Sequence, residues 1–154
     1  MVDAGEVVLR AAVAADAAAV AALYLRARKE LLPFAPLAHA DDAVRAWMAA
    51  QLIPAGGTTV ATAGGEVVGF VSLDRRDGSW IDQLYLQPQW IGRGVGPRLL
   101  AHARAVLVPP IRLYTFQAND RARRFYERHA FRAVAFTDGA GNEERCPDVL
   151  YEWP

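Results

Sequence analysis

The sequence predicts an α/β (α+β) chain: one mixed, mainly antiparallel sheet of about seven strands with about four helices on its faces. Three observations carry this. Three strand-like stretches follow one another through hairpin signals between Thr58 and Leu86. A glycine-rich stretch, Ile91-Gly92-Arg93-Gly94-Val95-Gly96-Pro97, then joins the last of them to apolar residues recurring at helical spacing, namely Leu99, Leu100, Ala103, Val106 and Leu107. After Pro109-Pro110, strand-like and helix-like segments alternate to the end of the chain. At 154 residues this is most simply one domain, taken as 1–154.

Each element has its own signal. Glu6 to Ala12 reads as a first strand. Asp16 is a candidate N-cap for a helix to about Leu32, with Val20, Leu23, Tyr24, Ala27 and Leu31 as its apolar stripe and Arg26, Lys29 and Glu30 toward water. Pro33 and Pro36 end it and open a loop containing His39. Asp41 or Asp42 can cap a second helix with Val44, Trp47 and Met48 inward, stopped by Pro54-Ala55-Gly56-Gly57. Thr58 to Ala63, Glu66 to Leu73 and Ser79 to Leu86 form a meander turning at Gly64-Gly65 and Asp77-Gly78. The third helix follows the glycines. Ile111 to Gln117 is a strand that comes after a helix, so it is expected parallel to the one before. Asn119 caps a short helix holding Ala122, Phe125, Tyr126 and His129; Phe131 to Phe136 and Asp148 to Trp153 are the last strands. The order is β-α-α-β-β-β-α-β-α-β-β.

Composition excludes several classes. The chain is 53% hydrophobic and 22% charged with a formal net charge of zero, which is ordinary for a soluble protein. No excess of Lys and Arg is available to neutralise nucleic-acid phosphates. Cys146 is the single cysteine, so no internal disulfide forms and a cytoplasmic setting is natural. No apolar run reaches membrane-spanning length. The alanine-rich stretch from Ala11 to Ala22 lacks a basic start and is broken by Asp16, so it does not read as a signal peptide. No His, Cys, Asp or Glu cluster has metal-ligand spacing.

The glycine stretch sits where a strand turns into a helix. Glycine lets a ligand approach the backbone, and the first amides of a helix point outward at its positive end, a geometry that suits phosphate. It is not a P-loop, since Gly96 is followed by Pro97 and Arg98 instead of Lys and Ser or Thr. It is not a dinucleotide fingerprint either: Gly92 and Gly94 fit, but position 97 is proline and hairpin-like strands come first.

Two segments together, Ile91 to Gly96 and Asn119-Asp120-Arg121-Ala122-Arg123-Arg124-Phe125-Tyr126-Glu127-Arg128-His129-Ala130-Phe131, resemble the signature motifs of the GNAT superfamily of acyl-CoA-dependent N-acyltransferases. The first resembles Gln/Arg-x-x-Gly-x-Gly/Ala, the second Asn-x-x-Ala-x-x-Phe-Tyr-Glu-x-x-Gly-Phe. Spacing and element order agree over nearly the whole chain. Two positions depart from the pattern: Ile91 stands for the usual Gln or Arg near the pyrophosphate, and Ala130 for the usual Gly. Gln89 or Arg93 could compensate for the first.

The resemblance implies transfer of an acetyl group from acetyl-CoA, as cosubstrate and without a metal, to a primary amine of a small molecule by direct attack in a ternary complex. The amides of Gly92, Arg93, Gly94, Val95 and Gly96 would cradle the phosphates beside Ile91. Leu84, Tyr85 and Leu86 would pair their backbone with pantetheine like an added strand, and a backbone N–H near Leu84 or Tyr85 would polarise the thioester carbonyl. Tyr126 aligns with the tyrosine that protonates the departing thiolate. Asn119 is either a helix cap or a cofactor contact, or both. Asp82 is the candidate base or relay end; otherwise it is a solvated carboxylate. Glu143 and Glu144, with Asp148 nearby, could hold a cationic amine, and His39 lies in the loop where this family usually builds its acceptor site. Arg121, Arg123, Arg124 and Arg128 could form a basic face near the phosphates. Cys146 as a covalent acyl carrier is disfavoured, since no partner histidine is placed beside it. The expected partners are acetyl-CoA and an amine, with no nucleic acid and no membrane; exposed last strands leave a homodimer open. The alternatives are a non-catalytic acyl-CoA-binding or sensing domain, and an acetyltransferase acting on protein N-termini or lysines.

Overall fold

A computed structural model describes residues 6–154; the first five residues of the expected 1–154 domain lie outside the described residues. The elements run β1 (Val8–Ala11), α1 (Ala17–Leu31), α2 (Asp41–Trp47, passing into a π turn at Met48–Leu52), β2 (Thr58–Ala63), β3 (Glu66–Asp74), β4 (Ser79–Leu86), α3 (Val95–Val106), β5 (Ile111–Phe116), α4 (Asp120–Arg128), β6 (Arg132–Phe136) and β7 (Asp148–Trp153). This is the order the sequence predicts. The strands form one seven-stranded sheet in the order β1-β2-β3-β4-β5-β7-β6. All neighbours are antiparallel except β4 and β5, which run parallel, as their intervening helix requires. β7 inserts between β5 and β6, so β6 is left at the edge.

Two cores sandwich the sheet. On one face Val20, Leu23 and Leu25 of α1, with Val44 and Met48, pack on Val60 and Phe70. On the other, Val95, Leu99, Leu100 and Ala103 of α3 meet Val68, Val71, Ile111 and Tyr151. Each fully buried leucine contributes about 1.5–3 kcal/mol of transfer free energy. Among the described residues no helix is long and apolar enough to cross a membrane.

Three local expectations are corrected. Asp16 precedes α1 but does not cap it: its φ of −82° and ψ of −14° are already helical, whereas a capping side chain needs an extended backbone. Its carboxylate turns back to accept the Val13 N–H at 2.7 Å and hydrogen bonds from Arg10 Nη1 and Nη2, each at 2.8 Å. Ala40, not an aspartate, stands at the N-cap of α2; Asp41 and Asp42 occupy its first turn, where the helix dipole favours them. Trp47 is 47% exposed, because Val44 and Met48, four apart, take the inward stripe and leave Trp47 on its flank.

Two irregularities make the space for a site. The β4–β5 ladder has only the pairs Ser79↔Ile111 and Trp80↔Arg112, after which the strands splay apart. Beyond Trp80 the facing edge of β4 therefore has no strand partner among the described residues. The second irregularity is a bulge at Asp82: Ser72 pairs with Gln83 and Leu73 with Ile81, so Asp82 is skipped. Ile81 and Leu84, three apart, would sit on opposite faces of a regular strand; the bulge brings both to the α3 side, while Tyr85 joins the α1 side.

Candidate active site

Three cavities run into one another along the splay. The first, about 650 Å³, is lined by Ile91, Gly92, Gly94, Gly96, Leu86 and Phe125, among others. The second, about 580 Å³, lies over the bulge and includes Ile81, Asp82, Thr115 and Phe116. These two share Leu84, Tyr85, Asn119, Ala122 and Tyr126. The third, about 420 Å³, has an apolar wall of Leu37, Val44, Trp47 and Met48. It shares Tyr24, Gln83, Glu143 and Glu144 with the second. Residues far apart in the chain thus meet along one path from the glycine turn, past Tyr126 and the bulge, to the acidic pair.

At the glycine end, Gly92 (φ 79°) and Gly94 (φ 86°) hold a left-handed backbone that other residues rarely adopt. Gly94 is the N-cap of α3, so the Val95 and Gly96 amides begin that helix without intrahelical acceptors. Pro97 sits in the first turn, where its missing N–H removes nothing. Ile91 lines the cavity with the glycines, whereas the side chains of Arg93 and Val95 do not. Arg93 stacks its guanidinium 3.9 Å from the Trp90 ring centre. Gln89 donates to Gln87 at 2.5 Å. Of the four α4 arginines, Arg121 and Arg128 line this cavity, seven residues apart on one helix face. Arg123 lies elsewhere, bonded to the Tyr151 hydroxyl at 3.1 Å, so the four do not form one basic face.

Tyr126 is held by the end of its own helix. The Phe131 N–H donates to the Tyr126 carbonyl at 3.0 Å and the Ala130 N–H to the Glu127 carbonyl at 3.2 Å. Ala130 adopts φ 68° and the Phe131 ring lies 5.6 Å from Tyr126. These are the two bonds, the left-handed residue and the apolar contact of a Schellman C-cap. At the other end of α4, Asn119 Oδ1 accepts the Ala122 N–H at 3.2 Å, so Asn119 caps the helix and also lines two cavities. Tyr151 fastens α4 to β7 by donating to Glu127 at 2.5 Å. Tyr126 is 7% exposed. Burial, reinforced by Tyr85, pushes its phenol well above the usual tyrosine range, so it stays protonated.

Asp82 rises from the bulge and is exposed in area, yet it borders the concave central cavity. Loss of solvent first, then the nearby charge of Asp74, raises its pKa above the ordinary aspartate value, with Arg76 opposing.

The acidic residues come from the loop between β6 and β7. Asn142 folds that loop: it donates to the Cys146 carbonyl at 2.7 Å and Asp148 at 3.1 Å, and accepts the Cys146 N–H at 3.1 Å. Thr137 donates to Asp148 from below. Asp148 is therefore an anchor within the loop base, while Glu143 and Glu144 face α1 and the His39 loop. His39 Nε2 lies 2.6 Å from Glu143 Oε2. Glu144 lies 3.7 Å from Arg28. Burial, then the carboxylates of Glu144 and Asp148, hold the Cys146 thiol above its usual range, against a nucleophilic role.

Three residues of this site escape a reading of the sequence. Arg28 is 4% exposed and donates to the Tyr24 hydroxyl at 2.8 Å and the Ala35 carbonyl at 2.9 Å. Its signal was present: it stands four residues after Tyr24 on the buried stripe of α1. Tyr24 packs edge-on against Tyr85 at 5.1 Å. Gln83 follows the bulge, and its direction depends on a register that the sequence does not display. Among the described residues, no group of three or more His, Cys, Asp or Glu side chains is placed to hold a metal ion.

Residues 17–131 match the family model described as the acetyltransferase (GNAT) family. No curated protein matches. Among solved structures, apo YjaB from Escherichia coli is similar at 20% identity, covering 96% of this chain and 97% of that one, with a TM-score of 0.77. The PaiA N-acetyltransferase from Thermoplasma acidophilum, in complex with coenzyme A, is similar at 16% identity, 96% and 99% coverage and a TM-score of 0.74. Arabidopsis thaliana Naa50, in complex with the bisubstrate analogue CoA-Ac-MVNAL, is similar at 19% identity, 97% and 99% coverage and a TM-score of 0.72. At such identities the structures share a fold, and the family match rests on the sequence from α1 to the C-cap of α4. With the glycine turn, the splayed strands and the capped tyrosine helix all inside or beside that span, this chain belongs to the GNAT acetyltransferase family.

Proposed function

We propose that this protein is an N-acetyltransferase that moves the acetyl group of acetyl-CoA to a primary amine of a small molecule, by direct attack in a ternary complex. The observation that carries this reading is the pair of cavities sharing Leu84, Tyr85, Asn119 and Tyr126: one ends at the glycine turn, the other at carboxylates. The unbroken sheet from β1 to β7 supports residues 1–154 as one domain.

The residues divide the work as follows. Amides at Gly92 to Gly96, with Arg121 and Arg128 on the same cavity, hold the phosphates. The free edge of β4 at Leu84 to Leu86 takes the pantetheine amides as an added strand. A β4 N–H near Leu84 or Tyr85 stabilises charge building on the thioester oxygen, an effect worth several kcal/mol. Asp82 accepts the proton that the amine loses as its nitrogen bonds to the acetyl carbon. Tyr126 donates its phenolic proton to the sulfur as the C–S bond breaks. Burial that weakens the phenol as an acid also raises the proton affinity of a thiolate in the same place, so the transfer stays matched.

A small acceptor is favoured over a peptide because the His39–Glu143 contact joins the two loops flanking the third cavity. The cavity between those loops, about 420 Å³, is within the range for small ligands.

Calorimetric titration with acetyl-CoA, with NAD as control, tests the first half. Micromolar binding of acetyl-CoA alone is expected, followed by free-thiol release with small primary amines. Absence of acetyl-CoA binding overturns the reading. Binding without thiol release across a broad amine panel assigns the protein to the sensing class instead.

A further inference from the structure

The junction between the second and third cavities holds one polar group with no partner. Gln83 Oε1 is shut off from solvent and accepts no hydrogen bond among the described residues. The Gln83 side chain lines both cavities, beside Tyr24, Glu143 and Glu144. A buried acceptor left unpaired costs about 1–3 kcal/mol, a cost that a ligand pairing with it would relieve. The bulge at Asp82 sets its direction: Gln83 is the first residue after the skipped position and pairs across to Ser72.

The surroundings define what that ligand is. On the inner side are Asp82 and the path to Tyr126. At the junction stand two carboxylates, of which Glu144 is shared with Arg28 at 3.7 Å and Glu143 with His39 at 2.6 Å. On the outer side the wall is Leu37, Ala43, Val44, Trp47 and Met48. One end of the acceptor must therefore be a hydrogen-bond donor and cationic in solution, and the rest apolar. Among the described residues the outer wall adds no carboxylate to Glu143 and Glu144.

We propose that Gln83 is the residue that binds and orients the acceptor nitrogen, and that the acceptor is a primary amine on a compact apolar body, of the arylalkyl kind, with a single positive charge. This rests on the acetyltransferase reading above. A change of rotamer of the whole Gln83 side chain swings Oε1 from its closed position to the junction, where it accepts an N–H of the amine. Glu143 and Glu144 attract the ammonium form before Asp82 takes its proton. Gln83 is thus a substrate-contacting residue; the proton transfers belong to Asp82 and Tyr126.

The test uses 2-phenylethylamine as probe, titrated calorimetrically into the parent protein and a Gln83→Met variant, each loaded with CoA. Thermal melting and the acetyl-CoA affinity of both are measured alongside. The parent is expected to bind 2-phenylethylamine, and Gln83→Met to weaken it about tenfold or more. The variant is expected to keep the parent's acetyl-CoA affinity. Its Tm should rise by roughly 2–6 °C, because an unpaired buried acceptor has been removed. Spermidine and a free tetrapeptide should bind at least tenfold more weakly than 2-phenylethylamine. Equal amine binding by the variant, or a lower Tm, overturns the role of Gln83. Tighter binding of spermidine or the tetrapeptide overturns the acceptor class. Loss of acetyl-CoA binding in the parent instead refutes the underlying acetyltransferase reading, so the two failures are told apart.

Discussion

His39 Nε2 and Glu143 Oε2 meet at 2.6 Å although 104 residues separate them in the chain. The contact bridges the loop after α1 and the loop after β6, which close over the outer cavity from opposite sides. Both side chains are more than 60% exposed, so the pair adds little to stability. Its consequence is shape. Cutting it with His39→Ala should loosen the pocket and raise KM for a small amine several-fold. The acetyl-CoA affinity and Tm should stay near parent values. A steady-state series with acetyl-CoA saturating checks this; an unchanged amine KM removes the bridge from the binding site.

Tyr126 is buried among Phe125, Phe131 and Tyr151, and none of these contacts needs its hydroxyl. Tyr126→Phe should therefore fold normally and bind acetyl-CoA as before. Turnover should fall about 10²-fold, the lower range for general acid catalysis. Parent-like turnover in the variant would show that solvent, not the phenol, protonates the thiolate.

Asp82 works as a base only when ionised, and its pKa is raised. Turnover should accordingly decline on the acid side at a higher pH than an ordinary aspartate would give. Asp74 contributes to the raise, and Arg76, which opposes it, is held by Asp74 at 2.6 Å. Asp74→Asn removes one charge and frees the other, so the acid limb should move to lower pH. Asp82→Asn should abolish the limb and lower turnover about 10²-fold or more. A pH–rate profile of kcat/KM distinguishes these outcomes; a limb that ignores Asp74→Asn excludes Asp82 as the titrating group.

What could be read from the chain follows from what is local. The meander from Thr58 to Leu86 and the glycine turn are written in alternation, turn pairs and helical spacing, and they stand where expected. The parallel pairing of β4 and β5 followed from the helix between them. The splay after Trp80 and the bulge at Asp82 did not, because both depend on strands that pair from a distance. Leu84 is expected on the cofactor strand, but that it shares a face with Ile81 follows only from the bulge. Gln83 is hidden for the same reason, whereas Arg28 is signalled locally, four residues after Tyr24 on the buried stripe of α1. Residue type and loop position point to His39, Glu143 and Glu144, and only the folded chain puts them on one cavity.

The C-cap of α4 offers a separate prediction about stability. Ala130 sits at φ 68° between the His129 C-cap and Phe131, in the one position of the Schellman motif that disfavours a Cβ. The conformation is kept because two backbone bonds and the Tyr126–Phe131 contact depend on it. An L-residue in that region carries about 1 kcal/mol of strain, which glycine lacks. Glycine is also freer in the unfolded chain, which offsets part of the gain. Ala130→Gly should therefore stabilise the protein by about 0.5–1 kcal/mol, a Tm rise of roughly 1–4 °C at this chain length. Ala130 lines none of the three cavities, so turnover should match the parent. Thermal melting with a parallel thiol-release assay decides it; a lower Tm would mean that the left-handed residue at the end of α4 is not a source of strain.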